Sequence, residues 1–273
     1  MWKLIKMDFY RFFSSKTIKI GALMACVVSV GYALLSLGII ALAKYAFQSD
    51  PTVADSMGVV LSQVSWMNGV NFSEIVFGGT GMLALFIGCM ISANFIGSEQ
   101  SCGYTKNFAG RLPNKGYMAI SKFVVTSAGQ VMVMVIYTIV GSITAELMFG
   151  KYITGYDITH LFAALGVKLL LHLAINAIIV FLCTLTKSHS IAMVAGCIFG
   201  LGITKVAYLS IDLISSFMKI NFSISNYMPD GLIDQLGWQS VGSIAQKAII
   251  VSIAFIVAFV AANYYVVRNR DVR

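Results

Sequence analysis

The chain has 273 residues, of which 58% are hydrophobic and only 11% are charged, and its formal net charge is +8. This composition, with a mean hydropathy of +0.84, leaves almost nothing for a soluble domain and indicates a single membrane domain over residues 1–273. The basic residues stand beside the ends of apolar segments, so we expect them to meet anionic lipid head groups rather than nucleic acid.

Six apolar segments follow one another along the chain, and each predicts a membrane-spanning helix. Most approach the roughly 20 residues that a helix needs to cross the hydrocarbon core. Two are shorter and have a lysine at one end, Lys168 or Lys205, whose side chain can complete the span by snorkelling. The predicted spans cover about residues 20–43, 75–98, 123–145, 165–186, 189–208 and 248–267.

The distribution of basic residues between the spans predicts the orientation. If the N-terminus is cytoplasmic, the inner segments hold thirteen of the nineteen Lys and Arg residues, and the outer segments hold four. Short cytoplasmic loops carry an excess of Lys and Arg, so we expect both termini to face the cytoplasm.

The first nineteen residues predict a helix that lies in the inner head-group layer. Trp2, Ile5, Phe9, Phe12 and Phe13 recur at helical spacing, with basic and polar residues between them. A simpler interpretation is a basic flank that only orients the first span. That interpretation explains the lysines but leaves the aromatic residues without a role.

The longest inner segment, residues 99–122, predicts a short helix. Tyr104, Phe108 and Leu112 fall four residues apart and define one helix face, which Pro113 then ends. Either another protein docks on this face, or the face packs against the inner ends of the chain's own spans.

The residue order in this segment resembles the loop between the second and third helices of ABC type-2 permeases, the membrane subunits of a class of ABC exporters. The resemblance extends to the interfacial helix, the six spans and a long outer segment before the last span. The chain is most similar to small bacterial permeases that export antimicrobial or amphipathic peptides, such as bacteriocin-immunity and phenol-soluble-modulin exporters. The matching residues are Glu99-Gln100, Gly103-Tyr104-Thr105-Lys106-Asn107, Arg111, Pro113 and Ser121-Lys122.

The resemblance implies a multi-pass protein of the bacterial plasma membrane that exports a hydrophobic or amphipathic substrate, such as an antimicrobial or cytolytic peptide. Two permeases, expected here to be identical copies, would work with two ATPase subunits that bind ATP and Mg. The loop after span two would form a coupling helix beside the interfacial helix. Its implied ATPase contacts are Glu99, Gly103, Tyr104, Lys106, Asn107, Phe108 and Arg111.

The outer segments carry two further helix signals. The resemblance implies re-entrant helices over roughly Tyr208–Gln246, and there Asp230 is predicted to cap a short helix that bears Leu232, Ile233 and Leu236 and ends at Gly237. In the first outer loop, residues 44–74, the pair Asp50-Pro51 predicts the start of another helix.

Several catalytic motifs do not occur in the sequence. A G-x-x-x-x-G-K-[ST] phosphate loop is missing, so any ATPase must be another polypeptide. The three histidines have no Cys or carboxylate companions at ligand spacing, and the sequence predicts no metal site. We therefore expect a protein that is not itself an enzyme and holds no cofactor of its own.

Polar residues inside the spans are costly in lipid and tend to face protein or water. Lys168, His172 and Asn176 fall four residues apart on one face of span four. In one interpretation they form a polar stripe that lines a pathway or faces a second subunit. In the other, Lys168 snorkels to the outer surface, while His172 and Asn176 bond to neighbouring helices. Asn94 and Lys205 leave the same choice open, and glycines before Lys205 predict that span five breaks near it.

The competing function class is a self-sufficient secondary transporter or channel. Ion-coupled carriers commonly place Asp or Glu within their spans. All eleven acidic residues of this chain fall at predicted helix ends or in loops, which disfavours a carrier.

Overall fold

The computed structural model describes residues 1–49, 70–71, 76, 80–103, 114–149, 153–155, 158–186, 188–217, 223–236 and 241–269. The protein is an all-α membrane protein, as the sequence predicts. Its helices are α1 (Trp2–Ser14), α2 (Lys16–Ser49), α3 (Met82–Ser101), α4 (Tyr117–Phe149), α5 (Ile158–Thr186), α6 (His189–Gly200), α7 (Thr204–Phe217), α8 (Pro229–Gln235) and α9 (Val241–Asn269). A short parallel pair, β1 (Val70–Asn71) with β2 (Ile153–Gly155), joins two of the connecting segments.

Five of these helices, α2, α3, α4, α5 and α9, are long and apolar enough to cross a membrane. The helices α6 and α7 pass the same test only as a pair, and they are bent by 61° at the break between them. The fifth predicted span is therefore broken rather than a continuous helix over 189–208. The predicted break is confirmed, and it lies at Gly202, whose φ of +70° is a conformation that favours glycine.

The central helices of the bundle are α3 and α5. The helix α9 packs along α5, α6 packs along α3, and α2 packs along α4. Most of the span in α3 is buried within the bundle, whereas little of the span in α9 is buried. The apolar exposed faces of α2 and α9 are those expected of helices that contact lipid.

One end of the bundle contains both described ends of the chain. There Gln100 donates to the backbone oxygen of Cys183 at 2.9 Å, and the side chain of Asn114 donates to the hydroxyl of Tyr264 at 2.6 Å. These contacts bring the C-terminal ends of α3, α5 and α9 to the start of α4, where α1 also packs. We call this the basic end, and its Lys and Arg residues predict that it is cytoplasmic.

The helix α1 forms as predicted, but its aromatic residues do not share one face. Ile5 and Phe12 are buried, and the ring of Phe12 meets the ring of Phe95 edge to face at 4.8 Å. Trp2 is 78% exposed, and Phe13 is also exposed. Packing divides the predicted aromatic face of α1, because the helix buries an adjacent face that includes the polar residue Asp8.

The short helix α8 confirms the prediction of a helix in the last outer segment. Pro229 occupies its first turn, and Leu232, Ile233 and Leu236 are buried. The predicted cap is wrong, because Met228 holds the N-cap position and Asp230 lies within the first turn. The helix that Asp50-Pro51 predicts falls outside the described residues, while α2 continues to Ser49.

Candidate functional site

Four ionisable side chains meet at the basic end, where α1 packs against the end of α3 and the start of α4. We call Asp8, Arg11, Glu99 and Lys122 the charge cluster. The Lys122 ammonium contacts a carboxylate oxygen of Glu99 and lies 3.3 Å from Asp8 Oδ1. The Arg11 guanidinium lies 2.9 Å from Glu99 Oε1 and 3.7 Å from Asp8 Oδ1.

The charge cluster is buried except on one side. Asp8, Glu99 and Lys122 are almost completely inaccessible, whereas the side chain of Arg11 is 32% exposed. The hydroxyl of Ser121 donates to the second oxygen of Asp8 at 2.6 Å. Buried charges cost free energy unless partners compensate them, and here two anions face two cations. The arrangement therefore fixes α1 in one position against α3 and α4.

The charge cluster also holds both ends of segment 99–122, which is predicted to couple to an ATPase, against α1. Glu99 is the first residue of this segment and Lys122 the last, and both pair with residues of α1. Glu99 is buried among these partners, so its carboxylate serves the fold of this chain. Gly103 follows the C-terminal end of α3 and has a φ of +65°. The other predicted contacts lie outside the described residues, and their role stays a prediction: Tyr104, Lys106, Asn107, Phe108 and Arg111.

The polar stripe of span four faces the protein. Asn176 donates to the hydroxyl oxygens of Thr126 at 3.0 Å and Ser127 at 3.3 Å, both on α4, which confirms a bond between helices. The imidazole of His172 is buried beside the backbone of Gly81. Lys168 is only 3% exposed, so its side chain does not extend to the lipid surface as the snorkelling interpretation requires.

A close contact between α3 and α4 lies deeper in the bundle. The side-chain amide of buried Gln130 occupies the space that a side chain at Gly88 would fill. Small residues let membrane helices approach in this way. Asn94, another predicted polar candidate on α3, is half-buried.

At the opposite end, the broken span meets α3 and α8. The Lys205 ammonium lies 3.5 Å from the sulfur of Met82, so this side chain is directed at protein. Asp230 of α8 is buried and accepts hydrogen bonds from the hydroxyls of Thr204 and Tyr208. The carboxylate of Asp212 accepts hydrogen bonds from residues 223–225.

Sequence reasoning did not select Asp8, Arg11 or Lys122 as site residues. A signal was present, since Asp8 is the only acidic residue of a basic segment and stands three residues before Arg11. Their spatial partners, however, come from two other helices. Within the part of the chain that the structure describes, no three His, Cys, Asp or Glu side chains are close enough to bind a metal ion.

No family model matches the chain, and no curated protein matches it. The fold and the charge cluster are therefore the features that bear on its function.

Proposed function

We propose that this chain is the membrane permease subunit of an ATP-driven ABC exporter in the bacterial plasma membrane. The observation that carries the proposal is the charge cluster, which fastens both ends of segment 99–122 to the interfacial helix α1. In such an exporter an ATPase pushes on the loop after span two. A rigid connection at both ends of that loop directs the force into α1, α3 and α4 together.

The packing of α3 offers a route from this loop to the far side of the membrane. At its distal end α3 places Met82 against Lys205 of the broken span. Nearby, a side chain at Gly200 would lie 2.6 Å from the Cα atom of Phe86, so the backbones of α6 and α3 are in close contact. A shift of α3 therefore moves α6 and α7, and the turn at Gly202 supplies the place where that span can bend.

The remaining parts of the proposal concern partners and substrate. Two ATPase subunits would supply ATP and Mg²⁺ binding, because the chain has no phosphate loop of its own. A second permease, expected to be an identical copy, would complete the pathway. Spans with many apolar and few charged residues suit a hydrophobic or amphipathic cargo, and we propose a peptide of the antimicrobial or cytolytic kind.

A self-sufficient carrier or channel is the alternative, and the buried pair Lys168 and His172 is the observation in its favour. Carriers that couple to ions need an ionisable group that changes its state within a span. Asp8, however, lies in the middle of α1, which is not one of the apolar spans. Glu99 lies near the end of α3 and Asp230 in the first turn of α8, and all three carboxylates bond to protein groups. Transport by the purified chain without any ATPase would favour the alternative.

The proposal is tested by removing the predicted docking residues, with Tyr104→Ala combined with Phe108→Ala. Aromatic anchors at interfaces typically contribute about 2 kcal/mol or more, so affinity for the ATPase should fall by about 30-fold or more. Binding of the ATPase that copurifies with the wild-type chain from its native membrane is measured by titration in detergent, together with ATP hydrolysis.

A matched control removes one tyrosine and one phenylalanine from the opposite end of the bundle. Tyr227→Ala with Phe217→Ala changes residues that are 52% and 85% exposed, and should leave ATPase binding unchanged. Equal binding by the wild type and the Tyr104 and Phe108 double variant would contradict the docking role and favour packing of this helix on its own bundle.

A further inference from the structure

The two faces of α1 differ sharply in chemistry. Successive residues of an α-helix are about 100° apart, so the buried Leu4, Ile5, Asp8 and Phe12 fall within an arc of about 100°. This arc faces α3 and α4 through the charge cluster and the ring of Phe95.

The opposite arc of α1 is exposed and mixes lysines with aromatic residues. By the same spacing of about 100° per residue, its members also share an arc of about 100°, centred on the other side of the helix. These residues are Trp2, Lys3, Lys6, Tyr10 and Phe13.

The exposed charge of this region is exclusively positive. Asp8 is the only carboxylate in the first twenty residues, and it is buried in the charge cluster, where it also offsets Arg11. Lys16 and Lys19, on the first turn of α2, are exposed like Lys3 and Lys6. The first twenty residues thus combine four exposed lysines with exposed aromatic side chains and have no exposed acidic group.

We propose that this surface binds the phosphate groups of acidic phospholipids in the leaflet at the basic end. Tyr and Trp favour the membrane interface, and nearby lysines attract the negative charge of acidic lipids. Lysine is depleted in protein–protein interfaces, so the four lysines favour lipid over a second protein as the occupant. The inference goes beyond the proposed export function and does not depend on it.

Quenching of Trp2 fluorescence by brominated lipids tests the proposal directly. Trp66→Phe with Trp238→Phe leaves Trp2 as the sole tryptophan. The protein is reconstituted without any partner in phosphatidylcholine vesicles with one-fifth phosphatidylglycerol, and either the acidic or the neutral lipid carries bromine. The acidic lipid should quench Trp2 at least about twofold more than its mole fraction predicts, and this excess should disappear in 1 M salt.

Charge-neutral and charge-preserving variants separate lipid binding from a general effect on structure. Changing Lys3, Lys6, Lys16 and Lys19 to Gln should reduce quenching to the bulk ratio, whereas changing all four to Arg should preserve the excess. Lys247→Gln is the control for one lysine at the other end, where its ammonium lies 4.6 Å from the centre of the Tyr227 ring.

Two results would overturn the proposal. In one, the acidic lipid quenches Trp2 only in proportion to its mole fraction, which shows that the lysines do not select it. In the other, neither brominated lipid quenches Trp2, which shows that protein covers this face of α1. Both results leave the proposed export function open, since no ATPase or substrate takes part.

Discussion

Loss of Lys122 should destabilise the protein more than any other single change in the charge cluster. Among the described residues, Lys122→Met leaves Arg11 as the one cation that pairs with the carboxylates of Asp8 and Glu99. Asp8 also keeps its hydrogen bond from Ser121. Removal of one partner from a buried ion pair costs about 3–5 kcal/mol. Because these two bonding partners remain, we expect a value near the lower limit, about 3 kcal/mol.

Two comparison variants make this prediction quantitative. The side chain of Arg11 is 32% exposed, so water can compensate for its loss, and Arg11→Gln should cost only about 1 kcal/mol. In the double variant Glu99→Gln with Lys122→Met, an anion and a cation disappear together. Its cost should be well below the sum of the two single changes, as expected of coupled residues.

Thiol reactivity during thermal unfolding in detergent measures these differences. Cys89 and Cys183 are free and buried, so they react with a fluorogenic maleimide only when the bundle opens. The exposed Cys102 and the half-buried Cys26 and Cys197 are first replaced by Ser in every variant. The electrostatic reasoning is refuted if Arg11→Gln lowers the midpoint as much as Lys122→Met, or if the double variant is as unstable as the sum of its parts.

Two other predictions concern packing and orientation. Gly200→Ala should cost about 1–3 kcal/mol, because its Cβ would lie 2.6 Å from the Cα atom of Phe86. Gly166→Ala adds its Cβ where nothing lies within 4 Å and should stabilise the helix by about 0.5–1 kcal/mol. Equal effects of the two changes on the unfolding midpoint in the thiol assay would contradict this packing. An impermeant maleimide should label Cys102 only after cells are permeabilised, and its labelling in intact cells would reverse the orientation.

The length and apolarity of the spans made the membrane fold predictable from the sequence. The broken fifth span was predictable as well, because Gly200, Gly202 and Lys205 are all unfavourable within one continuous helix in lipid. The bounds of the helices were less predictable. The helix α5 begins at Ile158, and α4 covers Tyr117–Phe149, because both continue beyond the hydrocarbon thickness into segments that are less apolar.

The charge cluster was not predictable to the same degree. Helical periodicity places Asp8 and Arg11 on neighbouring faces of α1, but only tertiary packing brings Glu99 and Lys122 to them. The same packing explains why the aromatic stripe of α1 is divided. A pattern of hydrophobicity selects the most apolar face, whereas the bundle offers ionic partners to the face that contains Asp8.

Purification of the tagged chain from its native membrane, with identification and counting of its partners, tests the proposed export function most directly. We expect an ATPase that contains the G-x-x-x-x-G-K-[ST] phosphate loop, in equal amount to this chain, and hydrolysis of ATP that requires the complex. Purification of a homogeneous chain that transports its substrate without any ATPase would contradict the proposal.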